Sequence, residues 1–374
     1  MLAGVLSMVL SCCGHRRGSA GGFTPPLGEG PVVHILLSSG RYDMKVGSVQ
    51  GGVWLAGRRE GYFEAGELTV AASRRGIEAG ADNTGAREVY FLPFDDIFEF
   101  EGRSYRGKLK VLLEDDGSLR TFEAVHLEDY IRGVLPVEIY PFWPMDAIVA
   151  QAVAVRTFVL NMIRDPKTRY WLTRLDLAYR GAAFETERTD AAVELSAGMV
   201  LTYDNALFPA FFHSTCGGAT ASARSVFDAH DIPPLRSVQC GRCMGSRHYR
   251  WEASFPLREI SEKVFSDSGT VIRSISTSGH DSGGRPEFVV INGTERLRAS
   301  EFRLALGTMR LKSTRFEVSI SDGEAHFRGM GFGHGVGLCQ WGAYGLARAG
   351  YGWEEILHHY YPEAEVRLLE GLAH

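Results

Sequence analysis

From Val32 to about Thr121, apolar and polar residues alternate in short runs, VVHILLSS, GVWLAG, ELTVAAS, EVYFLPF and IFEFEG, separated by Gly, Asp and Asn. A period of two bounded by turn residues predicts strands. KLKVLLEDDGSLRTFEAV sets Asp116-Gly117 between two alternating segments, the pattern of a hairpin. The period then changes. Leu127 to Leu160 reads as two helical segments joined by a short turn, and Glu138 stands in that turn between Val137 and Ile139. Pro144 suits a first helical position and Asp146 the positive end of the helix dipole. Val149, Ala152, Val153, Val159, Leu160 and Ile163 follow at helical spacing, and Arg156 falls on the same face. A guanidinium cannot shed its proton, so on an apolar face it needs a partner. Glu138 is the nearest acid in an apolar setting, and the expectation is that the two share a site. Val, Ile, Tyr and Trp neighbours favour the protonated acid, whereas a nearby Arg favours the charged one. A proton donor and a structural ion pair are both open readings.

Further on, RDPKTRYWLTRLDLAYRG reads as a polar, aromatic loop, and TDAAVELSAGMVLTYDN as a helix running into a strand with Gly198 at the joint. ALFPAFFHSTCGG is a strand ending in small polar residues. From Trp251 to about Phe327 the pattern returns to β: a hairpin in VIRSISTSGHDSGGRPEFVVING, a short helix ASEFRLALG stopped by Gly307, and a hairpin turned at Asp322-Gly323. GMGFGHGVGLCQWGAYGLARAGY places glycines at 329, 331, 333, 335 and 337 ahead of a helix that ends at Gly350. That spacing is neither G-x-G-x-x-G nor a G-K-[ST] loop, which argues against a phosphate cradle. His334 and Gln340 are polar residues in this setting, suiting either a sugar-binding loop or a tight packing loop. WEEILHHYYPEAEV closes the chain with a helix and a strand. The pattern is that of an α+β protein. It divides into a leader and tether (1–30), a β-rich region (31–125), a central core (126–230) and a β-rich region closing with the loop and helix (231–374).

Composition alters this picture little. The 374 residues are 45% hydrophobic and 23% charged, and a net charge of -5 gives no reason to expect a nucleic-acid partner. No uninterrupted apolar run reaches ~18 residues, so no membrane span is expected. The N-terminal MLAGVLSMVLSCCGHRRG resembles a bacterial lipoprotein signal, with Val9-Leu10-Ser11 ahead of Cys12. That implies export and a lipid anchor at Cys12, followed by a Gly/Pro/Ser-rich tether. In an exported chain the default for cysteines is a disulfide. Cys240-x₂-Cys243 with Cys216 and either His213 or His248 makes a zinc knuckle the alternative, while Cys339 would complete a second disulfide pair. A nucleophile reading of His213, Ser214 and Cys216 lacks an orienting partner, and neighbouring residues on a strand face opposite ways.

Three long motifs in order give the chain a family resemblance: LEDYIRGVLPVEIYPFWPMDAIVAQAVAVRTF, AVELSAGMVLTYDNALFPAFFHSTCGGAT and GHGVGLCQWGAYGLARAGYGWEEILHHYYP. They resemble the SpoIID/LytB family of peptidoglycan lytic transglycosylases and amidase enhancers, over about Val32 to Val366. The resemblance implies cleavage of the β-1,4 bond between N-acetylmuramic acid and N-acetylglucosamine in glycan strands. It matches the family's catalytic acid to Glu138 and its helical Arg to Arg156. Gln151, His213, Ser214, His334 and Gln340 are the candidate substrate-binding residues. No cofactor is implied for the chemistry. An extracytoplasmic, envelope-attached location follows, and under the enhancer reading a cell-wall amidase is a partner. Some members bind zinc in a Cys/His-rich loop just before a Gln-x-Tyr. Here RYWLTRLDLAYRG has no Cys or His and carries Leu177 at the Gln position. Any structural zinc therefore falls to Cys216, Cys240, Cys243 and His248.

Overall fold

The computed structural model describes residues 30–164, 172–173, 176–227, 230–265 and 270–369. Cys12 and the leader lie outside the described residues. The chain forms two compact units, residues 30–141 with 162–194, and residues 142–161 with 195–369. Helices and largely antiparallel sheets combine in an α+β arrangement.

The first unit is built on two sheets. In the larger, the strands run in the order Leu172–Thr173, Val32–Arg41, Leu119–His126, Lys108–Leu113, Glu88–Pro93, Gly52–Ala56 and Arg59–Phe63. All neighbours are antiparallel except Leu172–Thr173, which runs parallel to Val32–Arg41. Asp116-Gly117 does turn a hairpin, with Leu113 opposite Leu119. Val33, Ile35, Val89, Leu109, Val111 and Leu119 are fully buried, as alternation requires of a sheet with one face on a core. The helix Leu127–Glu138 follows the strand Leu119–His126 directly and buries Leu127, Tyr130, Ile131, Val134 and Leu135.

The second unit is centred on the helix Met145–Ile163. Every residue from Ala147 to Leu160 is buried. An amphipathic face was expected, yet apolar residues surround this helix on all sides, so it is covered on all sides. It is long and apolar enough by composition to cross a membrane, but most of that stretch is buried inside the protein. Thr157 stitches it to the strand Met199–Tyr203: its Oγ1 donates to Val153 O and accepts the Leu201 N–H, both at 2.8 Å. The expected strand across ALFPAFFHSTCGG is only two fragments, Ala206–Leu207 and Phe212–His213. Pro209 between them has no N–H to give a ladder, and the Phe211 N–H turns back to Pro209 O. Phe212–His213 instead pairs in parallel with Leu338–Cys339.

This unit also contains two three-stranded sheets with the helices Leu257–Phe265 and Ala299–Leu306. Phe255, Phe302, Phe316, Phe327, Ile260 and Leu306 form their core. The turn at Asp322-Gly323 holds both residues at positive φ, 51° and 78°, as a two-residue hairpin loop demands.

Candidate functional site

Glu138 is the last residue of the helix Leu127–Glu138. The chain leaves the helix at Ile139, in extended conformation, whose N–H still reaches Leu135 O. This puts the carboxyl at the end of the helix rather than on its flank. Glu138 is 5% exposed. Its Oε1 accepts the backbone N–H of Ala178 at 2.9 Å. The neighbouring Tyr179 donates its hydroxyl to Oε1 of Glu123 at 2.6 Å. Glu123 lies on the strand Leu119–His126 and is fully buried. Burial and the adjacent carboxylate hold the Tyr179 hydroxyl protonated, well above its ordinary range. Two successive residues of one turn thus serve two buried acids.

That turn is itself fixed. The Tyr179 ring packs against Tyr130, with centroids 4.8 Å apart. Gly133 on the helix makes the approach feasible, since a Cβ there would lie 2.5 Å from the Tyr179 ring. A few residues on, Glu185 takes Arg106 in a two-pronged ion pair, at 2.8 and 2.6 Å. Leu177, Ala178 and Tyr179 occupy the positions of the Gln-x-Tyr pattern. Leu177 is fully buried, and the turn meets Glu138 through the Ala178 backbone amide.

In the second unit, Arg156 is fully buried on the long helix. Its Nη1 donates to Met199 O at 3.0 Å and lies 3.5 Å from Ser196 Oγ. Gln151, one turn earlier and fully buried, has no hydrogen-bond partner for either amide atom among the described residues. Leaving such an amide unpaired costs about 1–3 kcal/mol.

The remaining candidates converge where Phe212–His213 meets Leu338–Cys339. His213, Ser214, His334 and Gln340 are all nearly buried. His334 commits both ring nitrogens to the backbone: Nε2 to Phe212 O at 2.9 Å, and Nδ1 to the Val336 N–H at 3.0 Å. That fixes the tautomer with the proton on Nε2. Burial, helped by Arg303 and Arg285, keeps this imidazole neutral, with its pKa pushed down to about 3. His213 Nδ1 lies 3.1 Å from Val336 O, and its Nε2 has no partner among the described residues. Ser214 Oγ meets Thr215 Oγ1, which bonds in turn to Ser246 Oγ. Gln340 opens the helix Gln340–Arg348. The glycine run brings these loops together. Gly337, at φ 69°, has Phe211 O so close that a Cβ would sit 1.9 Å from it.

Cys216, Cys240, Cys243 and Cys339 form one buried cluster, with their sulfurs all within 4.8 Å of one another. The fourth member is Cys339, not His248. The His248 ring packs on Phe332 at 4.7 Å, and its Nε2 accepts from Arg247 Nε. Sequence reasoning saw Cys339 only as a disulfide partner, and it missed Glu123, Ala178 and Tyr179. An acid inside the otherwise apolar run TFEAV was the available signal for Glu123. The Ala178 contact is made by backbone, so residue types carry no trace of it.

The family model for the stage II sporulation protein, SpoIID, matches residues 115–203. The chain is 30% identical over 311 residues to an uncharacterized protein of Brachyspira hyodysenteriae, covering 80% of this chain and 82% of that one. It is 29% identical over 271 residues to stage II sporulation protein D of Bacillus subtilis, covering 66% and 76%. Against the amidase enhancer of Bacillus subtilis it is 26% identical over 282 residues, spanning 62% of this chain and 39% of that protein. The chain belongs to the SpoIID/LytB family.

Proposed function

We propose that this protein is an exported peptidoglycan lytic transglycosylase in which Glu138 is the single acid and base. The observation that carries the reading is a nearly buried carboxyl at a helix end, in the segment matching the family's catalytic acid, oriented by the Ala178 N–H.

The chemistry balances with one carboxyl. Protonated Glu138 gives its proton to the glycosidic oxygen as the C1–O4 bond breaks. The carboxylate left behind takes the proton of the muramic C6 hydroxyl as O6 bonds to C1. The products are a free 4-hydroxyl and a 1,6-anhydro ring, and no water is consumed. A hydrolase would need a second carboxylate and a water. In this reading Arg156 is a positioning residue, and His213, Ser214, Gln340 and Gln151 supply polar groups for substrate. An envelope location with a lipid anchor at Cys12 belongs to the same proposal.

A second reading has its own support. Leu177 replaces the expected Gln, and the chain is similar to an amidase enhancer. In that case the protein presents wall to a separate amidase and cuts nothing itself. Incubation of purified glycan strands with the full chain, followed by mass spectrometry of the products, separates the two. Transglycosylation yields 1,6-anhydro-muramyl ends. Intact strands, together with stimulation of an added amidase, would replace the first reading by the second.

A further inference from the structure

We propose that Cys216, Cys240, Cys243 and Cys339 together bind one zinc ion as a closed, all-thiolate structural site. The sulfurs come from three separate places in the chain and are buried to 5% exposure or less. None is in a disulfide. Cys216 and Cys243 sulfurs are 3.5 Å apart and all four lie within 4.8 Å. Four thiolates at the usual zinc–sulfur distance of about 2.3 Å have edges of about 3.8 Å, whereas a disulfide would need about 2.0 Å. These separations are too long for a disulfide and short enough for all four sulfurs to share one ion.

The surroundings suit thiolates. The Cys216 N–H points at Cys339 Sγ at 3.2 Å, and the Gly218 N–H at Cys216 Sγ at 3.3 Å. Tyr360 Oη lies 3.1 Å from Cys240 Sγ. Such outer contacts orient and stabilise metal-bound sulfur. Four thiolates and a dication leave two negative charges in a buried place, which calls for a countercharge. Arg285 is 2% exposed and donates from Nη2 to the Cys216 carbonyl. Its Nε and Nη1 have no hydrogen-bond partner among the described residues. A buried guanidinium with donors to spare beside the cluster fits that need; its other charged neighbours are Asp281, which accepts the Arg285 backbone N–H, and Arg315.

The site explains how irregular loops hold one shape. Cys216 follows Phe212–His213, and Cys339 ends Leu338–Cys339 and leads straight into Gln340. An ion here locks the segments that carry His213, Ser214, His334 and Gln340. With four protein ligands it leaves no open position for water, so its role is architectural rather than catalytic.

Elemental analysis of the purified full chain tests this independently of any wall-cutting activity. One zinc per chain is expected, released as an organomercurial caps the four cluster thiolates. His248→Ala should keep the zinc at full stoichiometry, while Cys243→Ser and Cys339→Ser should lose it. Cobalt substitution should give the spectrum of a tetrahedral thiolate site. Should the cysteine variants fail to fold, the wild-type stoichiometry and His248→Ala still decide. Zinc-free protein, disulfides among the four cysteines, iron in place of zinc, or zinc lost with His248 would each overturn the proposal.

Discussion

Glu123 and Glu138 are buried acids of the same unit, served by consecutive residues of one turn, yet they are held in different ways. Glu123 sits inside a sheet, fully buried, and takes a short bond from the Tyr179 hydroxyl. Glu138 ends a helix, keeps 5% exposure, and takes a longer bond from the Ala178 amide. A phenol that burial keeps protonated can only donate to the Glu123 carboxyl group. A backbone amide fixes the direction of a carboxyl group more lightly, through a bond that side-chain substitution does not delete. Under the proposed function Glu123 is a structural acid and Glu138 a working one, so their mutational signatures should be opposite: stability should follow the first and activity the second.

The largest expected effect on stability comes from breaking what the two acids share. Gly133→Val would drive a side chain into the Tyr179 ring. It should cost about 3 kcal/mol, seen as a lower midpoint in urea, with both acids disturbed at once. A comparable loss should appear on acidification, from the sheet alone. His34 pairs with Ala124, next to Glu123. Burial, then Lys110, holds its pKa down to about 4, against an ordinary value of 6.5. The unfolded chain therefore takes up a proton below pH 6.5 that the folded chain refuses until about pH 4. Stability present above pH 6.5 should decline through that window, by about 3 kcal/mol in all. His34→Leu should flatten this part of the profile; an unchanged slope would mean that other groups carry it.

Tyr179→Phe should be milder, about 2 kcal/mol, from a buried carboxylate deprived of a donor. Glycan cleavage should stay within tenfold of wild type. A large loss of activity at unchanged stability would reverse the assignment of the two acids. The smallest change in stability should be that of Glu138→Gln, under about 1 kcal/mol, because the amide oxygen can still accept from Ala178.

Much of this arrangement is readable from the chain where a single element carries it. Asp116-Gly117 and Asp322-Gly323 announce their hairpins through local turn chemistry. Pro144 and Asp146 mark the start of the long helix, and the helical spacing singles out Arg156 as a charge in an apolar place. Convergence is what local pattern cannot convey. Cys339 is far along the chain from Cys216, and its place in the cluster depends on the parallel pairing of Phe212–His213 with Leu338–Cys339. Glu123 and Glu138 look alike as isolated acids in apolar runs. Only the fold shows that adjacent groups, a hydroxyl and an amide, tell them apart.

The central claim is that the working acid is Glu138, acting alone. It is tested most directly by the rate at which 1,6-anhydro-muramyl ends appear when purified glycan strands are treated with wild type and with Glu138→Gln at matched melting temperature. The account predicts a fall of about 10²- to 10⁴-fold in the variant, the usual contribution of a general acid–base residue. Equal rates, or products with ordinary reducing ends, would contradict it.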